Sequence, residues 1–320
     1  MNIGRPLPES AHGRPRVALI AGPTASGKSD VALALARLLP CTIINADASQ
    51  VYADIPILSA APAPAERNAA PHALYGYIPG ELPCSAARWA QDARAAIQTS
   101  LRDGRLPVLV GGSGLYIRTL IDGISEIPSI DADIRNQIRT MPTPDAYQAL
   151  TGEDPHAAAR LNPADSTRIA RALEVVRSTG QPLHHWHRTM TGGIGTEISL
   201  SAMIILPPRE WLYQRIATRF ATMIETGAID EVRTLLAKNL PANLPVMRAI
   251  GVPEVARFIQ GECTAQTAMA GAVQASRNYA KRQYTWFRNQ SAPAWHRHED
   301  ILNADNIDNL AILLQQLILT

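Results

Sequence analysis

Gly22-Pro23-Thr24-Ala25-Ser26-Gly27-Lys28-Ser29 is the stretch on which the fold turns. It meets the phosphate-binding pattern G-x-x-x-x-G-K-[ST] at every fixed position. An apolar run, Val17-Ala18-Leu19-Ile20-Ala21, leads into it, and a helical pattern of Val31, Leu33, Ala34, Leu35, Leu38 and Leu39 follows. The motif therefore lies between a strand and a helix, the context it requires. Glycines let the backbone curl so that its N–H groups converge on one phosphate, and the helix behind adds its positive dipole end. Lys28 supplies a point charge for the outer phosphate oxygens, and the Ser29 hydroxyl offers a ligand to Mg²⁺. The loop calls for a polyphosphate without saying which one.

Working outward, two more apolar runs, Thr42–Ala46 and Leu106–Val110, alternate with helical stretches in the first third. That alternation predicts a parallel sheet covered on both faces. From residue 125 to 198 the pattern becomes helical and is punctuated by Pro128, Pro142, Pro144, Pro155, Pro163 and Pro182, with no convincing strand. One helix there is bounded by Asp165 as N-cap and Gly180 as stop. Strand character returns at Ser201–Leu206. The fold class is thus α/β, a P-loop NTPase-like parallel sheet core covered by helices with an inserted helical domain. The expected divisions are a loose tail over 1–15, the core over 16–124 and 199–292, the insertion over 125–198, and a C-terminal helical segment over 293–320.

Composition narrows the function classes. With 46% hydrophobic residues among 320, the chain can bury a large core. Thirty basic and 28 acidic residues leave a net charge of +2, so an argument for nucleic acid must come from local clustering. Cys41, Cys84 and Cys263 form no C-x-x-C pair and read as reduced thiols of a cytoplasmic protein. The first 16 residues have no apolar stretch of the signal-peptide kind. No segment reaches the roughly 18 apolar residues of a membrane span.

In an open parallel sheet the ligand sits beyond the carboxyl ends of the strands. Asp47 closes the second apolar run, and Ser113 lies in the glycine turn after the third. A carboxylate beside a phosphate loop serves as a metal ligand, a general base or a cap, and Asp47-Ala48-Ser49-Gln50 admits the cap. The third run has no terminal Asp of the kind that helps hold Mg²⁺ in hydrolytic NTPases, which argues against a motor ATPase. From Arg277 to His298 there are five basic residues, Arg277, Lys281, Arg282, Arg288 and Arg297, and no acidic ones, with Tyr279, Tyr284, Trp286, Phe287 and Trp295 interleaved. At helical spacing Arg277, Lys281, Tyr284 and Arg288 share a face suited to a phosphate backbone. Arg168 with Arg171, and Arg215 with Arg219, are weaker basic pairs. His184-His185-Trp186-His187 has no partner motif, so the sequence argues against zinc there.

These residues resemble the bacterial tRNA dimethylallyltransferases (the IPP transferase family) from about Val17 to Arg288. The resemblance rests on Gly22–Ser29, Asn45-Ala46-Asp47 with Gln50-Val51-Tyr52, Pro71-His72, and Val110-Gly111-Gly112-Ser113-Gly114-Leu115-Tyr116. It continues through Asn162-Pro163, Asp165, Arg168 and Arg171-Ala172-Leu173-Glu174-Val175, then Ala249-Ile250-Gly251 and Ala280–Arg288. It implies transfer of a dimethylallyl group from dimethylallyl diphosphate to N6 of the adenosine 3′ of the anticodon, position 37, in tRNAs reading codons that begin with U. Gly22, Pro23, Thr24, Ala25, Ser26, Gly27, Lys28 and Ser29 would hold the diphosphate, with Mg²⁺ on Ser29. Asp47 would be the base, with Ser113 its partner at the adenine and Lys28 at the leaving group. Asp47, Ala48, Ser49, Gln50, Ser113, Arg135, Thr167, Arg168, Arg171, Lys281, Arg282 and Arg288 would contact tRNA. A cytoplasmic monomer off the membrane completes the expectation.

The sequence departs from the family at Ala48, where serine is common, and at Ser113, where threonine is usual. Pro56-Ile57-Leu58-Ser59-Ala60-Ala61-Pro62 replaces Asp-Ile-Gly-Thr-Ala-Lys-Pro, and Val252-Pro253 replaces an aromatic–basic pair. These differences are expected to bear on RNA contacts more than on the chemistry. The alternative is a small-molecule kinase that binds ATP at the loop. The basic–aromatic segment discriminates against it, since a small acceptor has no use for such a surface.

Overall fold

A computed structural model describes residues 13–320. The expected loose tail over 1–15 lies almost wholly outside the described residues. The strands are β1 (Arg16–Ala21), β2 (Cys41–Asn45), β3 (His72–Ala73), β4 (Leu106–Gly111), β5 (Ile124–Ser125), β6 (Met190–Thr191), β7 (Ser199–Ile205) and β8 (His296–His298). Six of them form one sheet in the order β3-β2-β4-β1-β7-β8, and every neighbouring pair is parallel.

Central β1 is buried along its whole length, and its side chains alternate between two apolar layers. Val17, Leu19 and Ala21 meet Trp89, Ile117, Phe220 and Phe287 on one face. Ala18 and Ile20 meet Val31, Leu35, Leu310 and Leu314 on the other. The first face is covered in part by helices Ala86–Arg102, Arg209–Glu225 and Ala265–Gln290, and the second by Lys28–Leu38 and Ala304–Leu319.

The chain divides into two compact units. One comprises the residues up to Ile121 together with Ile194–Thr320, and the other is Asp122–Gly193. The second has its own core of Ile138, Leu150, Ile169 and Leu173. Its helix Ser166–Thr179 has the boundaries anticipated. The Asp165 side chain accepts the Arg168 N–H at 3.1 Å, and Gly180 takes the left-handed conformation at φ 68°. Among the described residues no helix is long and apolar enough to cross a membrane.

Two expectations are corrected. The stretch 125–198, read as free of strands, carries β6 near its end, and this pairs antiparallel with β5. The stretch 293–320 is not a separate helical segment, because β8 extends the main sheet and Ala304–Leu319 covers one of its faces. β3 went unread as well. β3 and β8 are edge strands of two and three residues, too short for an alternating pattern to show.

Candidate active site

Beyond the carboxyl ends of β1, β2 and β4 lies an open cavity of about 680 Å³, within the range of small-molecule sites. Its wall includes the phosphate loop from Thr24 to Ser29, Asp47, Ser59–Ala61, Arg215 and Arg219. Helix Lys28–Leu38 begins after Gly27, at φ 90°, with no side-chain cap. Its first N–H groups are left for an anion. Ala25 is also held at positive φ, 63°, which curls the loop.

Lys28 Nζ donates to the Pro23 carbonyl at 2.6 Å. Burial pushes its ammonium down to about 8; Asp47 opposes the shift and Arg219 reinforces it. The buried Ser26 hydroxyl has no hydrogen-bond partner among the described residues. A phosphate oxygen entering the loop would satisfy it, so the residues present fit a diphosphate. Ser29 stands exposed at the same wall, where its hydroxyl fits one position of a Mg²⁺ shell completed by phosphate oxygens and water.

Asp47 follows β2 in a tight turn, not a helix cap. Its N–H donates to Asn45 Oδ1 at 2.8 Å, and its Oδ1 accepts the Ser49 N–H at 2.9 Å. The carboxylate is thereby pinned while sharing the cavity with Lys28 and Arg219. Ser113 Oγ accepts the Ala48 N–H at 2.8 Å, and the Ser113 N–H donates to Ala46 O at 3.1 Å. The turn after β4 thus braces the turn after β2.

Several residues without an assigned role line or buttress the site. Gln283, only 5% exposed, accepts the Thr24 N–H at 2.8 Å and donates to the Gly112 carbonyl at 2.9 Å. It joins the phosphate loop to the β4 turn, and Gly112 leaves it room, since a Cβ there would lie 2.1 Å from Gln283 Nε2. Arg219 donates to Thr24 Oγ1, and Arg215 Nε donates to the Ala25 carbonyl at 3.1 Å. The i, i+4 spacing of that pair was the available signal, but nothing in sequence tied it to the loop. Tyr279 interacts with Ser113 and Gln283, and burial drives its phenol far above the ordinary tyrosine range, so it stays neutral. A smaller recess past Asp47 is of mixed character, lined by Ser49, Arg219 and Tyr279 and by apolar Ile55, Phe220 and Met223.

The expected RNA-contacting residues fall into three groups. Asp47, Ala48, Ser49, Gln50 and Ser113 gather at the cavity, but Gln50 is occupied. Its amide donates to the Ser59 and Ala60 carbonyls at 3.0 and 2.7 Å. Lys281, Arg282 and Arg288 stand exposed on helix Ala265–Gln290. The predicted single face is corrected, because Arg277 packs over the Tyr213 ring at 5.5 Å and Tyr284 donates to the Leu206 carbonyl at 3.3 Å. Arg135, Thr167, Arg168 and Arg171 belong to the unit Asp122–Gly193. Thr167 and Arg168 are exposed, whereas Arg171 leans toward buried Glu174 at 3.7 Å. The departure at Pro56–Pro62 falls beside the phosphate loop. Ser59–Ala61 line the phosphate cavity, and the Ile57 and Leu58 N–H groups anchor the loop on Glu231 at 2.6 and 2.9 Å.

With this geometry in hand, comparison with known proteins is specific. Residues 50–290 match the family model described as IPP transferase, and residues 15–72 match one described as isopentenyl transferase. The chain is 53% identical over 305 residues to the tRNA dimethylallyltransferase of Sphingopyxis alaskensis, covering 95% of this chain and all of that one. It is 53% identical over 297 residues to that of Erythrobacter litoralis, covering 91% and 94%. Among solved structures, the tRNA isopentenylpyrophosphate transferase of Bacillus halodurans is similar with a TM-score of 0.68 at 29% identity, over 95% of this chain and 96% of that one. A eukaryotic dimethylallyltransferase acting on tRNA is similar with a TM-score of 0.72 at 25% identity, over 85% and 70%.

Proposed function

The chain belongs to the IPP transferase family, and we propose that it transfers a dimethylallyl group from dimethylallyl diphosphate to N6 of an adenosine in tRNA, releasing diphosphate. In the finer form of the reading the acceptor is the adenosine 3′ of the anticodon, position 37, in tRNAs reading codons that begin with U, and the enzyme acts as a cytoplasmic monomer. One observation carries the chemistry. A pinned carboxylate, Asp47, faces the same cavity as a phosphate loop, while the strand beside that loop ends in Gly111-Gly112-Ser113 and offers no acidic group for nucleotide hydrolysis.

Departure of diphosphate from an allylic carbon leaves negative charge on its oxygens. Lys28, the loop amides and Arg219 are fixed where that charge develops. Mg²⁺, held by Ser29 and the diphosphate, would neutralise part of it and orient the phosphates. The exocyclic amine of adenine is a poor nucleophile because its lone pair is delocalised into the ring. Asp47 orients that amine and takes its proton as the C–N bond forms. The target base must leave its stack to enter, and exposed Lys281, Arg282 and Arg288 offer charge to the backbone that follows it.

The test is incubation of the purified protein with labelled dimethylallyl diphosphate, Mg²⁺ and an anticodon stem-loop bearing adenosine 3′ of the anticodon. Label should move to the RNA with one diphosphate released per transfer, and Lys28→Ala should lower the rate by several orders of magnitude. In a parallel incubation with ATP added, formation of ADP with no label on RNA would overturn the reading in favour of a small-molecule kinase.

A further inference from the structure

The histidine-rich stretch at 184–187 gains in three dimensions the partner that it lacks in sequence. Within the unit Asp122–Gly193, one potential ligand atom from each of Asp154, His156 and His184 lies within 4.8 Å of the other two. Asp154 stands between helices Thr143–Glu153 and Pro155–Arg160 and caps the second, its Oδ1 accepting the Ala157 N–H at 3.0 Å. His184 lies on the helix Leu183–Trp186, and its ring sits 4.6 Å from that of His156.

Two buried polar atoms of this cluster go without hydrogen bonds. Asp154 is only 3% exposed, and its Oδ2 is buried without a partner; it makes no ion pair among the described residues. Nδ1 of His184 is buried and unpartnered as well. Two of the three would-be ligands thus each carry a buried polar atom without a partner. A buried carboxylate oxygen with neither donor nor cation is costly. Mutual packing of the two imidazoles leaves that cost unanswered.

We propose that Asp154, His156 and His184 form a binding site for a divalent transition metal of the zinc class. Two imidazoles and one carboxylate suit Zn²⁺ and are a poor match for Mg²⁺, which takes oxygen ligands in an octahedron. Tetrahedral bonds of 2.0–2.1 Å would set the ligand atoms about 3.3 Å apart, so the three side chains need to close by only about 1.5 Å. His156 is exposed, so a fourth position opens to water. The bound ion would tie the helix Leu183–Trp186 to the turn at Asp154. This site is independent of the phosphate loop and does not rest on the transfer reaction.

The test uses the full-length protein, stripped of metal by a chelator and then dialysed against Zn²⁺ with excess Mg²⁺ and diphosphate to occupy the loop. One zinc per chain should be retained at micromolar free zinc. Asp154→Asn keeps a capping side chain, and His156→Ala alters an exposed position, so both should fold. Each, like His184→Ala, should weaken zinc binding roughly 10- to 100-fold. Zinc should also raise the unfolding temperature of the parent and leave that of His156→Ala unmoved. Failure of the parent to retain zinc, or retention by His156→Ala and His184→Ala as tight as the parent's, would overturn the proposal.

Discussion

One side of the helix Ala265–Gln290 is joined to the cavity and the other is bare. Gln283 is buried and bridges the phosphate loop to the β4 turn, while neighbouring Lys281 and Arg282 make no tie to the loop. Arg282 lies instead over the ring of Tyr279, at 5.7 Å. Residues adjacent in sequence thus differ in kind: one is buried and bridges two loops of the site, and the others leave their charge on the surface. Fixed polar groups lower the cost of reorganising around a developing charge, whereas mobile exposed cations act through counterion release.

The hardest test of this division lies inside the cavity. Asp47→Asn keeps the turn but removes proton acceptance, so turnover should fall roughly 10²–10⁴-fold while RNA affinity changes little. Near-normal turnover would reduce Asp47 to a positioning group. Gln283→Ala should strand the Thr24 N–H and the Gly112 carbonyl and weaken diphosphate binding roughly 10- to 100-fold with RNA affinity intact. Equal losses for both ligands, measured by calorimetry, would erase the distinction between the two sides.

Lys28 makes the cavity side sensitive to pH. Its ammonium titrates at about 8 in the free protein. Above that, diphosphate must bind with uptake of a proton, and affinity should drop up to about tenfold per pH unit. Folding responds with the opposite sign. Between pH 8 and the unfolded value near 10.5 the unfolded chain holds more protons, so this group makes stability rise with pH across that window. Calorimetry in buffers of different ionisation enthalpy would expose the proton, and binding with no uptake near pH 9 would refute the mechanism.

On the bare side, Lys281→Ala with Arg282→Ala should weaken RNA binding about tenfold and flatten log affinity against log salt by about one unit per lost contact. Diphosphate affinity should hold. An unchanged salt slope would show a merely solvated face. The smallest effect is expected at Ala61, which lines the cavity where the family commonly has lysine. Ala61→Lys should tighten diphosphate binding about two- to fivefold at low salt, an effect typical of a partly screened charge.

What sequence could and could not reveal follows from the range of each interaction. The phosphate loop and Asp47 were legible because their geometry is set by a few consecutive residues at strand ends. Gln283, Arg215, Arg219 and Tyr279 were not, because their roles arise only when distant helices dock on the sheet. Gln283 stood in the quoted closing motif with no hint that its amide faces inward. β8 was missed because His296-Arg297-His298 at a sheet edge has no apolar signature. The zinc-class cluster escaped because the carboxylate that completes it is disguised as a helix cap.

The cover over the phosphate-loop helix has a bearing on biosynthesis. Helix Lys28–Leu38 packs against Ala304–Leu319, Arg37 pairs with Asp308 at 2.6 Å across 271 positions, and a Cβ on Gly27 would strike Leu302. The earliest functional motif to leave the ribosome is therefore among the last to be buried. At about 5–20 residues per second, tens of seconds pass between synthesis of the loop and arrival of its cover, and throughout that time Val31 and Leu35 lack their native lid. Nascent chains stalled before residue 300 should associate with trigger-type chaperones and fail to bind diphosphate, and both properties should change together once Leu310 and Leu314 emerge.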